Sequence, residues 1–346
     1  MYNPIFAFAI ALITSIGLTP AAAQIALRLD IIDHPGPRKV HRRAVPLLGS
    51  LAIYTGAVLA FLLFIDGSSR NQVIGILAGA SLLVIVGILD DRGLLHHQVK
   101  LMVAMPLAGL ILIASGIHFT IFASSAMYLG SSFLAFFLDY IITLLWVVGI
   151  TAAFSILDHM DGLCAGVAAV AAAFVLLFAG ISGQILVGIL AASIFGASLG
   201  FLTWNFSPAK IFMGDGGAMF LGFMMATLGL KLRFPELPQV INLMIPILIL
   251  GVPIFDTTLV TISRMRRGLV PFASPGKDHT AHRLANLGLG HRDSVLVLYM
   301  LGILFGMLAL LLTWFSVWQT YILASVMFAL AFLVIGILEK APYERQ

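Results

Sequence analysis

Charge is what this sequence has least of: Asp, Glu, Lys and Arg make up 10% of its 346 residues, against roughly 25% in an ordinary soluble domain. With 61% hydrophobic residues and a mean hydropathy of +1.08, the chain lacks the polar surface to cover a water-exposed body of 37.1 kDa. That excludes a soluble protein and implies a polytopic membrane protein. Cysteine is nearly absent, and Cys164 alone excludes a disulfide framework, a cysteine zinc site and an iron–sulfur cluster. No linker, low-complexity tract or internal repeat is visible, so residues 1–346 read as one membrane domain.

What is present is a series of apolar runs, each near the 20 or so residues that cross the hydrocarbon as a helix. Eleven are expected, at about 5–27, 47–65, 73–89, 101–117, 133–156, 163–181, 185–204, 211–230, 240–262, 295–315 and 317–338. The fold class is therefore all-α. The eighth run is interrupted by Asp215 and nearby glycines, and its helix is expected to start near 217 and be short. Of the 19 Lys and Arg residues, 16 follow odd-numbered runs. Loops retained in the cytoplasm carry the positive charge, so the amino terminus is expected outside and the carboxyl terminus inside. That distribution also explains the pI near 9.3 as membrane topology, with no call for nucleic acid. The first 24 residues end in small side chains but lack a basic leading region, and are read as a retained span, not a signal peptide. The Ser-rich connection at 116–132 has room for a short hairpin.

The acidic residues carry the strongest signal, because a carboxylate at a bilayer requires a partner, water or a metal. Asp90 and Asp91 end the third run, Asp158 and Asp161 lie between the fifth and sixth, Asp215 opens the eighth, and Asp256 lies toward the inner end of the ninth. All map to the cytoplasmic side of the expected topology. A single such Asp is ordinarily a helix cap or an anchor. Five in three loops repel one another unless a cation compensates, and Mg²⁺ suits oxygen ligands shared with substrate phosphates. Arg38, Lys39, Arg42 and Arg43 in the first inner loop, and Arg264, Arg266, Arg267, Lys277 and Arg283 in the last long one, add positive charge. Such residues commonly fix topology, but here they sit among Pro, Gly and His41, His279 and His282, as in loops shaped around a phosphate. His279 and His282 have the spacing of a metal pair without the third ligand of a zinc site.

These segments resemble the polyprenyl-phosphate N-acetylhexosamine-1-phosphate transferases, the superfamily that also contains the phospho-MurNAc-pentapeptide translocase. The matching runs are Asp33-His-Pro-Gly-Pro-Arg-Lys-Val-His41, Gly87-Ile-Leu-Asp-Asp-Arg92 with Lys100, Asp158-His-Met-Asp-Gly-Leu163, Asn205 with Pro208-Ala-Lys-Ile-Phe-Met-Gly-Asp215, and Pro253-Ile-Phe-Asp-Thr257. The resemblance covers about residues 5–310. It implies transfer of a sugar 1-phosphate from a UDP-sugar to polyprenyl phosphate, with a lipid bilayer as setting, Mg²⁺ as cofactor with Mn²⁺ as substitute, and a homodimer as a compatible assembly. By motif position it assigns Mg²⁺ to Asp161 and Asp215, the lipid phosphate to Asp90, organisation of the metal to Asp91, and phosphate contact to Lys100. Asp158 joins this catalytic set, and Asp256, with the loop arginines, joins the substrate-binding one. Phe212 is assigned to uracil stacking, Asn205 to the base, and His279, His282 and Arg283 to the diphosphate region.

The sequence departs from the motifs at Thr151-Ala-Ala-Phe-Ser155, which lacks two usual asparagines, at His159, usually Gly, and at Ala281, usually His. The triple-His run of the peptidoglycan translocase is absent, which favours N-acetylglucosamine as the sugar. Two other classes stay open at this point. A secondary transporter would bind protons or cations through midplane sites in two related repeats, and a protein of the same fold would bind prenyl phosphate without turnover.

Overall fold

The computed structural model describes residues 3–34, 44–65, 69–95, 97–123, 132–271 and 276–341. Arg38, Lys39, His41, Arg42, Arg43 and residues 124–131 of the 116–132 connection lie outside the described residues. The fold is nearly all-α: α1 Asn3–Arg28, α2 Gly49–Phe64, α3 Arg70–Asp91, α4 Lys100–Ala114, α5 Ser132–Leu157, α6 Leu163–Ile181, α7 Ile185–Asn205 and α8 Gly214–Lys231. They continue as α9 Gln239–Ile249, α10 Gly251–Arg266, the short α11 Thr280–Leu284, α12 His291–Leu312 and α13 Val317–Leu338. One antiparallel pair, β1 Ile32–Asp33 with β2 Val45–Pro46, closes the neck of the first long polar loop.

Every expected apolar run is helical. Among the described residues, however, seven helices are long and apolar enough to span a bilayer, with an eighth if α9 and α10 count as one. α2 and α4 are apolar but shorter. The run at 240–262, expected as one span, is broken: α9 and α10 meet at 75°. Hydropathy records how apolar a run is and carries nothing about its direction. α8 begins at Gly214, one turn earlier than expected, so Asp215 lies inside its first turn.

Small residues set the closest packing, as in helix pairs that must associate without a hydrophobic driving force. α1 buries Ala7, Ala11, Ser15, Thr19, Ala22 and Ala26, a single stripe at intervals of three or four residues. It lies against α7, where a Cβ on Gly196 would stand 2.2 Å from the Phe8 carbonyl oxygen and one on Gly200 2.6 Å from that of Leu12. Ser15 Oγ donates to the Ala197 carbonyl at 2.9 Å, sealing that seam. α8 is the central post, buried along its length from Gly216 to Leu230 and packed against α2, α3 and α5.

Candidate active site

Three helix ends meet because two glycines let them. A Cβ on Gly87 of α3 would fall 2.2 Å from the Cα and backbone nitrogen of Gly216 on α8, so these helices cross backbone on backbone. The crossing brings Asp90 and Asp91, at the end of α3, beside Asp215, at the start of α8. The Asp215 N–H donates to Asp91 Oδ1 at 3.0 Å. Lys100, where α4 begins in a wide π turn, donates to Asp215 Oδ2 at 2.6 Å and to Asp90 Oδ2 at 3.0 Å. Ser155 Oγ reaches Asp215 Oδ1 at 3.4 Å. Thus Asp90, Asp91, Lys100 and Asp215 form one cluster.

The turn between α5 and α6 adds Asp158 and Asp161. Burial first, and then the charges of Asp215, Asp91 and Asp161, push the Asp158 carboxyl up to about 8. Asp91 Oδ2 is buried and has no hydrogen-bond partner among the described residues, a cost of about 1–3 kcal/mol for a polar atom left in that state. An all-oxygen donor set, mutual repulsion and an orphaned carboxylate oxygen fit a hard cation such as Mg²⁺.

Other expected contacts occupy different positions. Asn205 is 3% exposed, and its amide is committed to backbone at both ends: Oδ1 accepts from Gly162 N at 3.0 Å and Nδ2 donates to the Ile211 carbonyl at 2.9 Å. It therefore holds the Asp161 turn against the 206–213 segment, whose Ala209 N–H donates to Asp161 Oδ2 at 2.9 Å. It does not present a free amide to a base. Phe212 is half-buried, fixed through its backbone to Pro46 and Gly49 at the neck of the first loop.

Arg264 and Arg283 are also turned inward. Arg264 Nε and Nη2 donate to the two Asp278 oxygens at 3.0 and 2.8 Å, and Arg267 adds a third bond. Arg283, fully buried, donates to the carbonyls of Asp278 at 2.8 Å and Leu338 at 2.7 Å, to Ser263 Oγ at 2.7 Å, and pairs with Glu339 at 2.8 Å. Fully buried, this guanidinium spends these donors on the framework and offers no open face to phosphate. Burial raises the Asp278 pKa, but Arg264 and the other cations around it outweigh that and hold it down to about 2. Sequence reasoning passed over Asp278. Its signal was a lone carboxylate inside a loop carrying five Lys and Arg residues.

Asp256 is 1% exposed and binds His279 Nδ1 through Oδ2 at 2.9 Å and the Thr280 N–H through Oδ1 at 2.7 Å. His159 stacks on His279 with ring centroids 3.9 Å apart, and its centroid is 4.9 Å from that of His282. Burial, then the neighbouring His279 and His291, push His282 down to about 4. The histidines thus form a second group, organised around Asp256 and apart from the Lys100 bonds.

The chain matches the family model described as Glycosyl transferase family 4 over residues 73–233. It is 36% identical over 318 residues to a Bacillus subtilis (strain 168) protein named "Probable undecaprenyl-phosphate N-acetylglucosaminyl 1-phosphate transferase", covering 92% of this chain and 87% of that one. The chain belongs to the polyprenyl-phosphate N-acetylhexosamine-1-phosphate transferases. Two other members are similar along most of their length. The "Decaprenyl-phosphate N-acetylglucosaminephosphotransferase" of Mycolicibacterium smegmatis is 30% identical over 301 residues, covering 80% of this chain and 74% of that one. The "Undecaprenyl-phosphate alpha-N-acetylglucosaminyl 1-phosphate transferase" of Yersinia pestis is 29% identical over 335 residues, covering 91% and 86%. The interval matched by the transferase family model contains Asp90, Asp91, Lys100, Asp158, Asp161 and Asp215, and stops before the loop that carries His279 and His282.

Proposed function

We propose that this transferase moves N-acetylglucosamine 1-phosphate from UDP-N-acetylglucosamine to a polyprenyl phosphate of the undecaprenyl type, releasing UMP and leaving a lipid diphosphate sugar. The observation that carries the reading is the convergence of Asp90, Asp91, Lys100 and Asp215 from three helices. In this reaction an oxygen of the lipid phosphate bonds to the sugar-bearing phosphorus while that phosphorus loses its bridging oxygen to UMP. Such chemistry needs positioning and charge neutralisation more than covalent help. Asp90 orients the acceptor phosphate and accepts its proton. The Lys100 ammonium meets the negative charge that gathers on the bridging oxygen. Asp161 and Asp215, with help from Asp91, would hold Mg²⁺, which would neutralise diphosphate charge when bound, and Mn²⁺ would suit the same oxygens. The Phe212 ring stacks on uracil. With 16 of 19 basic residues on one side of the expected spans, eleven crossings with the amino terminus outside put this chemistry at the cytoplasmic face.

A secondary transporter is disfavoured by carboxylates grouped at helix ends in a chain without a visible repeat. The test is UMP release by purified protein in liposomes supplied with undecaprenyl phosphate, Mg²⁺ and a panel of UDP-N-acetylhexosamines. Release is expected with UDP-N-acetylglucosamine, abolished by EDTA and lowered about 100-fold or more in Asp215→Asn. Folded protein that stays silent across the panel overturns turnover and leaves a lipid-phosphate binder of this fold.

A further inference from the structure

The histidine group around Asp256 carries its own chemistry. One donor atom each from His159, Asp256 and His279 lies within 4.8 Å of the other two. His159 adds a second, independent observation. Its Nδ1 faces the Ile156 carbonyl at 3.2 Å, whereas its Nε2 is buried without a hydrogen-bond partner among the described residues. A carbonyl only accepts, so in the neutral ring Nδ1 holds the proton and Nε2 presents a lone pair. That is the tautomer of a metal-bound histidine, supported from behind by a backbone oxygen. His279 Nδ1 and Asp256 Oδ2 face each other at 2.9 Å, and an ion bound by both atoms would displace the proton that they share.

We propose that His159, Asp256 and His279 bind one zinc-class ion, at a site separate from the all-carboxylate cluster. Two imidazoles and a carboxylate suit a borderline-soft ion, whereas Mg²⁺ prefers oxygen alone. Zinc–nitrogen bonds of about 2.0 Å put tetrahedral donors about 3.3 Å apart. The three donors therefore need to close by about 1.5 Å at most, a displacement within reach of ring rotation. The His282 ring lies 4.9 Å from that of His159 and 6.2 Å from that of His279. The ion would tie the Asp158–Gly162 turn to α10 and to the loop 276–290. The site is particular to chains with histidine at 159, where the related motif usually has glycine.

The test uses full-length protein in detergent, stripped with EDTA and titrated with Zn²⁺ in excess Mg²⁺. Expected are one tightly held Zn²⁺ per chain and, on Co²⁺ substitution, the visible absorption of a four-coordinate site. His159→Gly and His159→Asn, the second retaining a donor toward Ile156, should each weaken Zn²⁺ about tenfold or more, while Asp215→Asn retains it. A wild-type chain that takes up no Zn²⁺, or whose Zn²⁺ is lost in Asp215→Asn and kept in both His159 variants, overturns the proposal.

Discussion

Asn205 shows how a side chain shapes a site without meeting the substrate. Its replacement by Ala leaves the buried Gly162 N–H and Ile211 carbonyl without partners, at about 1–3 kcal/mol for each group. Asn205→Ala should therefore lower the thermal unfolding midpoint measurably in detergent and reduce kcat by displacing Asp161; unchanged stability would contradict the two bonds. Phe212→Ala is the cleaner probe of ligand contact, because the bonds that fix Phe212 to Pro46 and Gly49 are backbone bonds and survive. Loss of stacking on a base, about 1–3 kcal/mol, predicts a KM for UDP-sugar raised roughly 5- to 150-fold with the lipid KM nearly unchanged. Equal weakening toward both substrates argues against a nucleobase role. At this scale the sequence disclosed the carboxylates, since a charge is conspicuous in a chain that has fifteen Asp and Glu residues in all. It did not disclose that Asn205, Arg264 and Arg283 face inward. A residue letter shows that a donor exists, and only the fold shows which acceptor lies opposite it.

Among elements, the α3–α8 crossing decides whether the cluster assembles. In Gly87→Ala the new methyl would meet the Gly216 backbone, and no side chain can swing aside to relieve it. The helices must separate, with an overpacking cost of about 1–3 kcal/mol. A displacement near 1 Å costs catalysis about 100-fold, so UMP release should fall steeply in protein that remains monodisperse. Gly166→Ala offers a contrast. Its Cβ would lie 2.0 Å from the Tyr299 ring, whose hydroxyl donates to the Gly162 carbonyl at 2.5 Å; a ring on α12 can rotate, so a smaller loss of activity is expected in the same assay. Helix positions were legible because each is a long apolar run. The break between α9 and α10 was not, since apolarity continues through the turn.

On the scale of the whole molecule, the last span is tied to the long inner loop. Arg283 reaches the Leu338 carbonyl and Glu339 at the end of α13, although α13 is otherwise mostly exposed. Truncation after residue 334 should therefore inactivate the transferase without removing any residue of the carboxylate cluster, measured as UMP release per folded molecule. Full activity in the truncated chain would show that the tie is dispensable. The seam between the first span and α7 has a consequence for biogenesis. Ser15 and its bonding partner Ala197 are 182 residues apart, which a ribosome covering about 5–20 residues per second separates by roughly 10–40 s. During that interval the stripe of Ala and Ser on the nascent first helix has no α7 to receive it, and the growing chain must shelter that small-residue face from other helices inserting nearby.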